Sequence, residues 1–287
     1  MPKHLSPSQI DGFARDGFMA PVRVVSAERA LYYRRRLEAF EAAHPEHRIK
    51  LDQKAHMICP WVDEMIRESV MLDATEDLIG PDILCWGTSL RAKAPDGRTF
   101  AGWHQDTAYA DVKPIVVIVA LALSPSRAEN GCIRAIPGSH LGPLLPHKEA
   151  FKTDSLLSRE QYIDAELDRS KAVDFALEPG EAAFFNNAIV HGSNANFGPD
   201  RRILFLLEMV PTHAYQISPR ESAVLVRGRD THGNFDVDPP PHQELGAAEL
   251  AAWQRAVEIQ ASVLFRGAER PPRALAGMTS GRPPGGV

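Results

Sequence analysis

At 287 residues, with 44% hydrophobic and 24% charged side chains, the chain is long enough to bury a sizeable core and has the composition of a globular protein. A formal net charge of −5 argues against a nucleic-acid binder, and no apolar run approaches the roughly 20 residues that cross a bilayer. Cys59, Cys85 and Cys132 form no CxxC pair, which disfavours a zinc ribbon or a disulfide framework; they read as buried free thiols in a reducing cytosol. The start, MPKHLSPSQIDGF, lacks the pattern of a secretory signal, so the expected location is cytoplasmic.

Ser6, Pro7 and Gln9 predict a helix start with Ser6 as N-cap, Ile10, Phe13 and Ala14 sharing one face and Gly17 as the stop. Residues 18–22 read as a short strand. A second helix follows Ser26 and runs through Leu31, Leu37 and Phe40 to the His44-Pro45 break, with Arg34, Arg35 and Arg36 on its solvated face. Val62, Ile66, Val70 and Leu72 predict a third helix over 61–79, ended by Gly80-Pro81.

Beyond residue 80 the period changes. Residues 83–94 alternate as a strand, with Ser89, Arg91 and Lys93 on one face and Leu90 and Ala92 on the other. A turn at 95–98 leads to a returning strand over 99–106. Residues 115–123 are all apolar and rich in valine and isoleucine, which predicts a strand buried on both faces. A turn at 129–131 precedes a strand over 132–136, and His140 in PGSH reads as a structural turn residue. Residues 146–170 are polar and irregular, a lid-like loop with one or two helical turns. Strand signals resume at 172–175, 182–185, 202–210 and 223–226. RGRDTHGNF at 227–235 either lines a substrate entrance or packs beneath a final helix at 246–264.

The expected fold is mainly β with flanking α: a jelly roll with N-terminal and C-terminal helices. We expect one domain over 1–268, with a helical part at about 1–80, a β core at about 81–230 and the final helix at 246–264. The tail, 269–287, is rich in proline and glycine and reads as flexible.

His104 and Asp106 flank Gln105 in WHQD at 103–106, and His191 follows an apolar stretch far downstream. On a strand, residues two apart project to the same side, so both could hold one ion. Two imidazoles and one carboxylate leave coordination positions open, as non-haem iron enzymes require. Arg202 opens an apolar strand where an unpaired guanidinium is costly, and its planar fork suits a carboxylate.

WHQD at 103–106, ENGCIRAIPGSH at 129–140, PGEAAFFNNAIVHGS at 179–193 and Arg202, with weaker matches at DGF (16–18) and GPDIL (80–84), resemble the phytanoyl-CoA dioxygenase family of Fe(II) and 2-oxoglutarate dependent oxygenases over roughly 8–235. The resemblance implies a double-stranded β-helix, cupin-like, with iron on His104, Asp106 and His191. It implies that Arg202 and Ser193 bind the distal carboxylate of 2-oxoglutarate, with contributions from Ser89 and Arg91. The implied reaction consumes O2 and hydroxylates an aliphatic C–H bond of a small molecule, releasing succinate and CO2. Related halogenases lack the carboxylate supplied here by Asp106, so hydroxylation, or desaturation and related oxidation, is expected instead of halogenation. Where many relatives carry a tryptophan, this chain has Ala120, which implies a roomier pocket or one filled by Tyr109; Arg91 would favour an anionic group. Alternatives are a catalytically silent binding protein of the same fold and a metal-dependent hydrolase. The expected partner is a small-molecule substrate, without nucleic acid or membrane, for a monomer or homodimer.

Overall fold

Capping fixes the first turn of the chain. The computed structural model describes residues 2–108, 110, 112–150, 154–216 and 219–268. In α1 (Pro7–Asp16), the Ser6 hydroxyl accepts the Gln9 backbone N–H and the Gln9 side chain accepts that of Ser6, while Gly17 ends the helix at φ 82. Chain β1 (Phe18–Arg23) follows directly. α2 (Ala27–Ala43), capped by Ser26, buries Ala30, Tyr33, Leu37 and Phe40. Leu31, expected on the same apolar path, is 44% exposed.

The helix expected over 61–79 is two helices, α3 (Pro60–Met65) and α4 (Ser69–Ile79). Between them Glu68 adopts φ −56, ψ 121, and its carboxylate accepts from Arg29 Nε at 2.6 Å and Tyr33 OH at 2.5 Å. Contacts with α2 thus stabilise a break that the local pattern does not show.

The strands in chain order are β2 (Ile83–Lys93), β3 (Ala101–His104), β4 (Val112–Lys113), β5 (Val117–Ala122), β6 (Arg134–Ala135), β7 (His147–Glu149), β8 (Gln161–Ile163) and β9 (Val173–Asp174). They continue as β10 (Glu181–Asn186), β11 (His191–Ser193), β12 (Arg202–Pro211), β13 (Tyr215–Gln216), β14 (Ser222–Arg227) and β15 (Asp236–Val237), before α5 (Ala247–Leu264). Seven form the major sheet, in the order β1-β10-β5-β12-β2-β14-β15; β3-β11-β6-β9 form a second. All pairings are antiparallel except β14 with β15. β4 with β13 and β7 with β8 make two small ribbons.

β5 is buried on both faces, as its apolar run predicts. Val117, Val119 and Leu121 join Ile203, Phe205 and Leu207 of β12 in a core shared with Leu37, Phe40 and Trp61 of the helices. Ile118, Ala120 and Ala122 join Leu204, Phe185, Ala135 and Ile189 in a second core between the sheets. Two antiparallel sheets closed over a shared interior make this a jelly roll of the double-stranded β-helix type.

Several expectations need correction. The strand over 99–106 ends at His104, and the strand over 132–136 shortens to Arg134–Ala135. Residues 146–170 contain the β7–β8 hairpin, where a loop with helical turns was expected. That hairpin is tied to the C-terminal helix, since Arg159 Nη1 donates to the carbonyls of Leu264 at 3.0 Å and Arg266 at 3.1 Å. Residues 227–235 are not among those lining the cavity; Arg227 pairs with Asp73 and Glu76 of α4, and Asn234 donates to the carbonyl of Ala214. The arginine run at 34–36 is less free than expected, because Arg34 pairs with Glu38 and Asp200 and Arg36 with Glu244. The expected tail, 269–287, and Tyr109 lie outside the described residues.

A buried ionic cluster joins the N-terminal segment to the sheet. Lys54 Nζ donates to Trp86 O, Ser222 O and Asp238 Oδ2 at 2.7, 2.8 and 2.9 Å, and His56 Nε2 lies 3.1 Å from the same carboxylate oxygen. All three side chains are almost completely buried. Burial opposes the Asp238 charge, but Lys54 and the His56 hydrogen bond prevail and hold its pKa far below the usual carboxylate range.

Candidate metal and cosubstrate site

Antiparallel pairing of β3 with β11 places His104 opposite His191. The third residue arrives differently from expectation: Asp106 lies in a 3-10 turn (Asp106–Ala108) just past the strand, so the turn, and not strand alternation, returns its carboxylate toward the histidines. Its Oδ1 is 3.2 Å from His104 Nε2 and its Oδ2 is 3.8 Å from His191 Nε2. One ligand atom from each of the three residues falls within 4.8 Å of the others, a group able to hold a metal ion.

Gln105 braces this turn. Its side chain donates to Ala188 O and accepts from the Leu145 backbone N–H, both at 2.9 Å, while its own backbone N–H donates to His147 Nε2 at 3.0 Å. The imidazoles are also oriented. His104 Nδ1 faces Gly102 O at 2.8 Å and His191 Nδ1 faces Ile189 O at 3.1 Å, carbonyls that accept an Nδ1 proton and leave each Nε2 free to turn its lone pair to an ion. Burial, reinforced by His104, lowers the His191 pKa to about 4. Asp106 is held at about 2, because the two histidines outweigh the effect of burial. Near neutral pH the site therefore offers a neutral His191 and an ionised carboxylate, which is the donor chemistry a divalent ion needs.

These residues open on a cavity that also receives Ser89, Arg91, Ser193 and Arg202. Arg202 is 1% exposed. Its Nη1 donates to Arg91 O at 3.0 Å, its Nε has no partner, and among the described residues it forms no carboxylate pair. Burial pulls its pKa down to about 10. A guanidinium held this way suits an incoming carboxylate. The neighbouring Arg201 is instead engaged by Glu41 through two 2.8 Å hydrogen bonds.

Ser193 accepts from Lys93 Nζ at 2.7 Å, and the same nitrogen faces the carbonyls of Gly131 and Asn194. Lys93 stands opposite Arg202 in register, fully buried, and its pKa falls to about 6 through burial and the charge of Arg202. The alternation of Ser89, Arg91 and Lys93 could have marked it. Glu208 was likewise missed, although it is the one acid in an apolar strand and shares the parity of Arg202; it lines the cavity. Asp52 and Asn187 also reach the cavity, as do Gln260, Val263 and Leu264 at the end of α5, contributions from distant segments that carry no local signal.

Ser89 is 4% exposed, its hydroxyl unpartnered. Arg91 Nη1 donates to the carbonyl of Leu90 at 3.2 Å. Ala120 faces the inner core but is not part of the cavity wall, which β5 reaches through Ile118. His140 is structural: its Nε2 donates to Ala14 O at 3.2 Å, tying the PGSH turn to α1.

Residues 13–204 match the family model described as phytanoyl-CoA dioxygenase (PhyH). The chain belongs to the phytanoyl-CoA dioxygenase family. A probable phytanoyl-CoA dioxygenase of Caenorhabditis elegans is 30% identical over 146 residues, covering 48% of this chain and 46% of that protein. The chain thus matches about half the length of that relative. Among solved structures, the non-heme monooxygenase ThoJ in its apo form superposes with a TM-score of 0.81 at 27% identity, over 90% of this chain and 98% of that one. CytC3 with Fe(II) and alpha-ketoglutarate shares the fold, with a TM-score of 0.61 at 24% identity over 83% of this chain and 94% of that one. Among the described residues no helix is long and apolar enough to cross a membrane.

Proposed function

We propose that the chain is an Fe(II) and 2-oxoglutarate dependent dioxygenase that hydroxylates an aliphatic C–H bond of a small molecule, and that residues 1–268 form its single catalytic domain. The observation that carries this reading is the sharing of one cavity by the His104, Asp106 and His191 group and the buried, carboxylate-free Arg202. His104, Asp106 and His191 would hold the iron, and Arg202 with Ser193 the distal carboxylate of the cosubstrate. When bound, iron with 2-oxoglutarate and O2 supplies the oxidising power: one oxygen atom enters the substrate as hydroxyl and the other enters succinate as CO2 is released.

The chain's own part is positioning. The Gly102 and Ile189 carbonyls fix the imidazole tautomers, and Gln105 fixes the turn that aims Asp106. Lys93 anchors Ser193 beside Arg202, at the end that takes the carboxylate. Asp106 supports hydroxylation over halogenation, since it occupies the ligand position that halogenases leave without a protein carboxylate. A zinc hydrolase on the same ligands would leave Arg202 without a role, and a silent binding protein would release no succinate.

Anaerobic titration of the metal-free protein with Fe(II) and then 2-oxoglutarate tests the reading. A weak visible charge-transfer band that is lost in Arg202→Ala is expected. Iron binding without the band would transfer weight to the hydrolase or binding-protein reading.

A further inference from the structure

β12 carries opposite charges along one face. Arg202, Leu204, Leu206 and Glu208 share one parity, and Arg202 and Glu208 both line the cavity. Six residues of strand separate their α-carbons by about 20 Å. Arg202 lies beside Lys93, whereas Glu208 lies between Gly87 of β2 and Ile118 of β5. One end of the strand is therefore cationic and the other acidic.

The acidic end is built to hold a carboxylate in the open. A Cβ on residue 87 would fall 2.1 Å from Glu208 Oε2, so glycine at this position makes room for it. Among the described residues the Glu208 carboxylate has no hydrogen bond and no ion pair. Of the cations whose fields reach it, Lys54 is paired with Asp238, and Arg91, which also lines the cavity, makes no ion pair with Glu208 among the described residues. Asp106 and Glu221 add negative charge nearby, and Asp52 lines the same cavity. Burial, with the charge of Asp106, raises the Glu208 pKa to about 7 against the fields of Arg91 and Lys54.

A second, independent group at the same cavity also awaits a ligand. Asn187 is 4% exposed and lines the cavity; its Oδ1 accepts from the Val116 backbone N–H at 3.3 Å, but its Nδ2 has no partner. Val116 immediately precedes β5, whose Ile118 is the register partner of Glu208. Buried polar groups that face a cavity without partners are satisfied by what enters it.

We propose that the Glu208 end of the cavity is a substrate subsite for an organic cation, a protonated amine or its equivalent, whose neighbouring acceptor atom takes the Asn187 Nδ2–H. This deepens the oxygenase reading and rests on it for the assignment of the ligand as substrate. It replaces the expectation of an anionic substrate drawn from Arg91.

The test uses the full chain and three probes of equal shape: cyclohexylmethylammonium, cyclohexylmethanol and cyclohexanecarboxylate, titrated at pH 8 by ligand-observed NMR. The ammonium probe should bind at least about tenfold more tightly than the alcohol, as expected for a hydrogen bond to a charged group. Glu208→Gln should erase that preference and leave the alcohol unaffected. Gly87→Ala should weaken the ammonium probe without removing any charge. Equal binding of the three probes, preference for the carboxylate, no binding of the ammonium probe, or a preference that survives Glu208→Gln would overturn the subsite. The iron and 2-oxoglutarate titration of the same preparation separates the two readings. A cation preference without the charge-transfer band sinks the oxygenase but keeps the subsite, whereas the band without the preference does the reverse.

Discussion

His104 and His191 oppose each other across β3 and β11, with their ring centres 4.1 Å apart. Sheet pairing sets this distance, so the two imidazoles remain adjacent whatever happens at Asp106. The carboxylate is the separable part of the site.

Asp106→Ala should therefore leave the fold intact and lower Fe(II) affinity by more than about 100-fold, above the usual cost of losing an outer partner. Anaerobic calorimetry measures this, and unchanged affinity would remove Asp106 from the ligand set. In the native protein, protons compete with the ion at His191 only as pH falls through about 4. Iron affinity governed by this residue should be level from pH 8 to about 5 and decline below; a decline centred near the ordinary histidine value of about 6.5 would contradict the neutral, buried imidazole.

Arg202→Met should raise the 2-oxoglutarate requirement by about 30-fold or more, the scale of truncating one partner of a buried charge pair. In the absence of cosubstrate it should stabilise the fold by about 1 to 3 kcal/mol, because it removes a charge that burial has already pulled down to about 10. Urea unfolding with and without 2-oxoglutarate reports both effects. Destabilisation in the absence of cosubstrate would show that the guanidinium has a structural partner.

Glu208 has a folded pKa of about 7, raised from 4.5. Between these values the folded chain binds more protons than the unfolded one, so its stability contribution is intact below about 4.5 and is lost as pH rises to about 7. Glu208→Gln should be more stable than the native chain at pH 8, by at most about 3 kcal/mol, with the difference fading toward pH 4.5. Equal unfolding midpoints at both pH values would mean that Glu208 is already well compensated in the fold.

Asp238→Asn leaves Lys54 buried with its charge uncompensated and should cost about 3 to 5 kcal/mol in chemical denaturation. Pairing it with Lys54→Met should restore part of that loss, since the two changes remove one interaction. Simple additivity would refute the coupling.

The legible parts of the sequence were those encoded locally. Ser6, Gln9 and Gly17 bound their helix through contacts within a few residues, and the runs that became β5 and β12 required burial by their composition. The metal group was readable because few residue types suit it, even though the strand argument for Asp106 was wrong and a turn brings it in. Non-local features were not readable: the break at Glu68 depends on Arg29 and Tyr33, and the β7–β8 hairpin has strands of only three residues each. Glu208 and Lys93 lay within reach, since each is a charge on the inner face of a strand already assigned, but strand parity was not followed to its ends.

The last turn of α5 supplies Gln260, Val263 and Leu264 to the cavity, whereas the metal group rests on β3, β11 and the turn after β3. Helix ends fray more readily than paired strands, so the wall can loosen while the ligands stay fixed. Arg159 opposes this by donating to the Leu264 carbonyl, one of the terminal acceptors a helix leaves unused. The cavity wall at α5 and its metal-bearing floor are thus held by different parts of the chain, the wall by a cation of the β7–β8 hairpin and the floor by strand pairing.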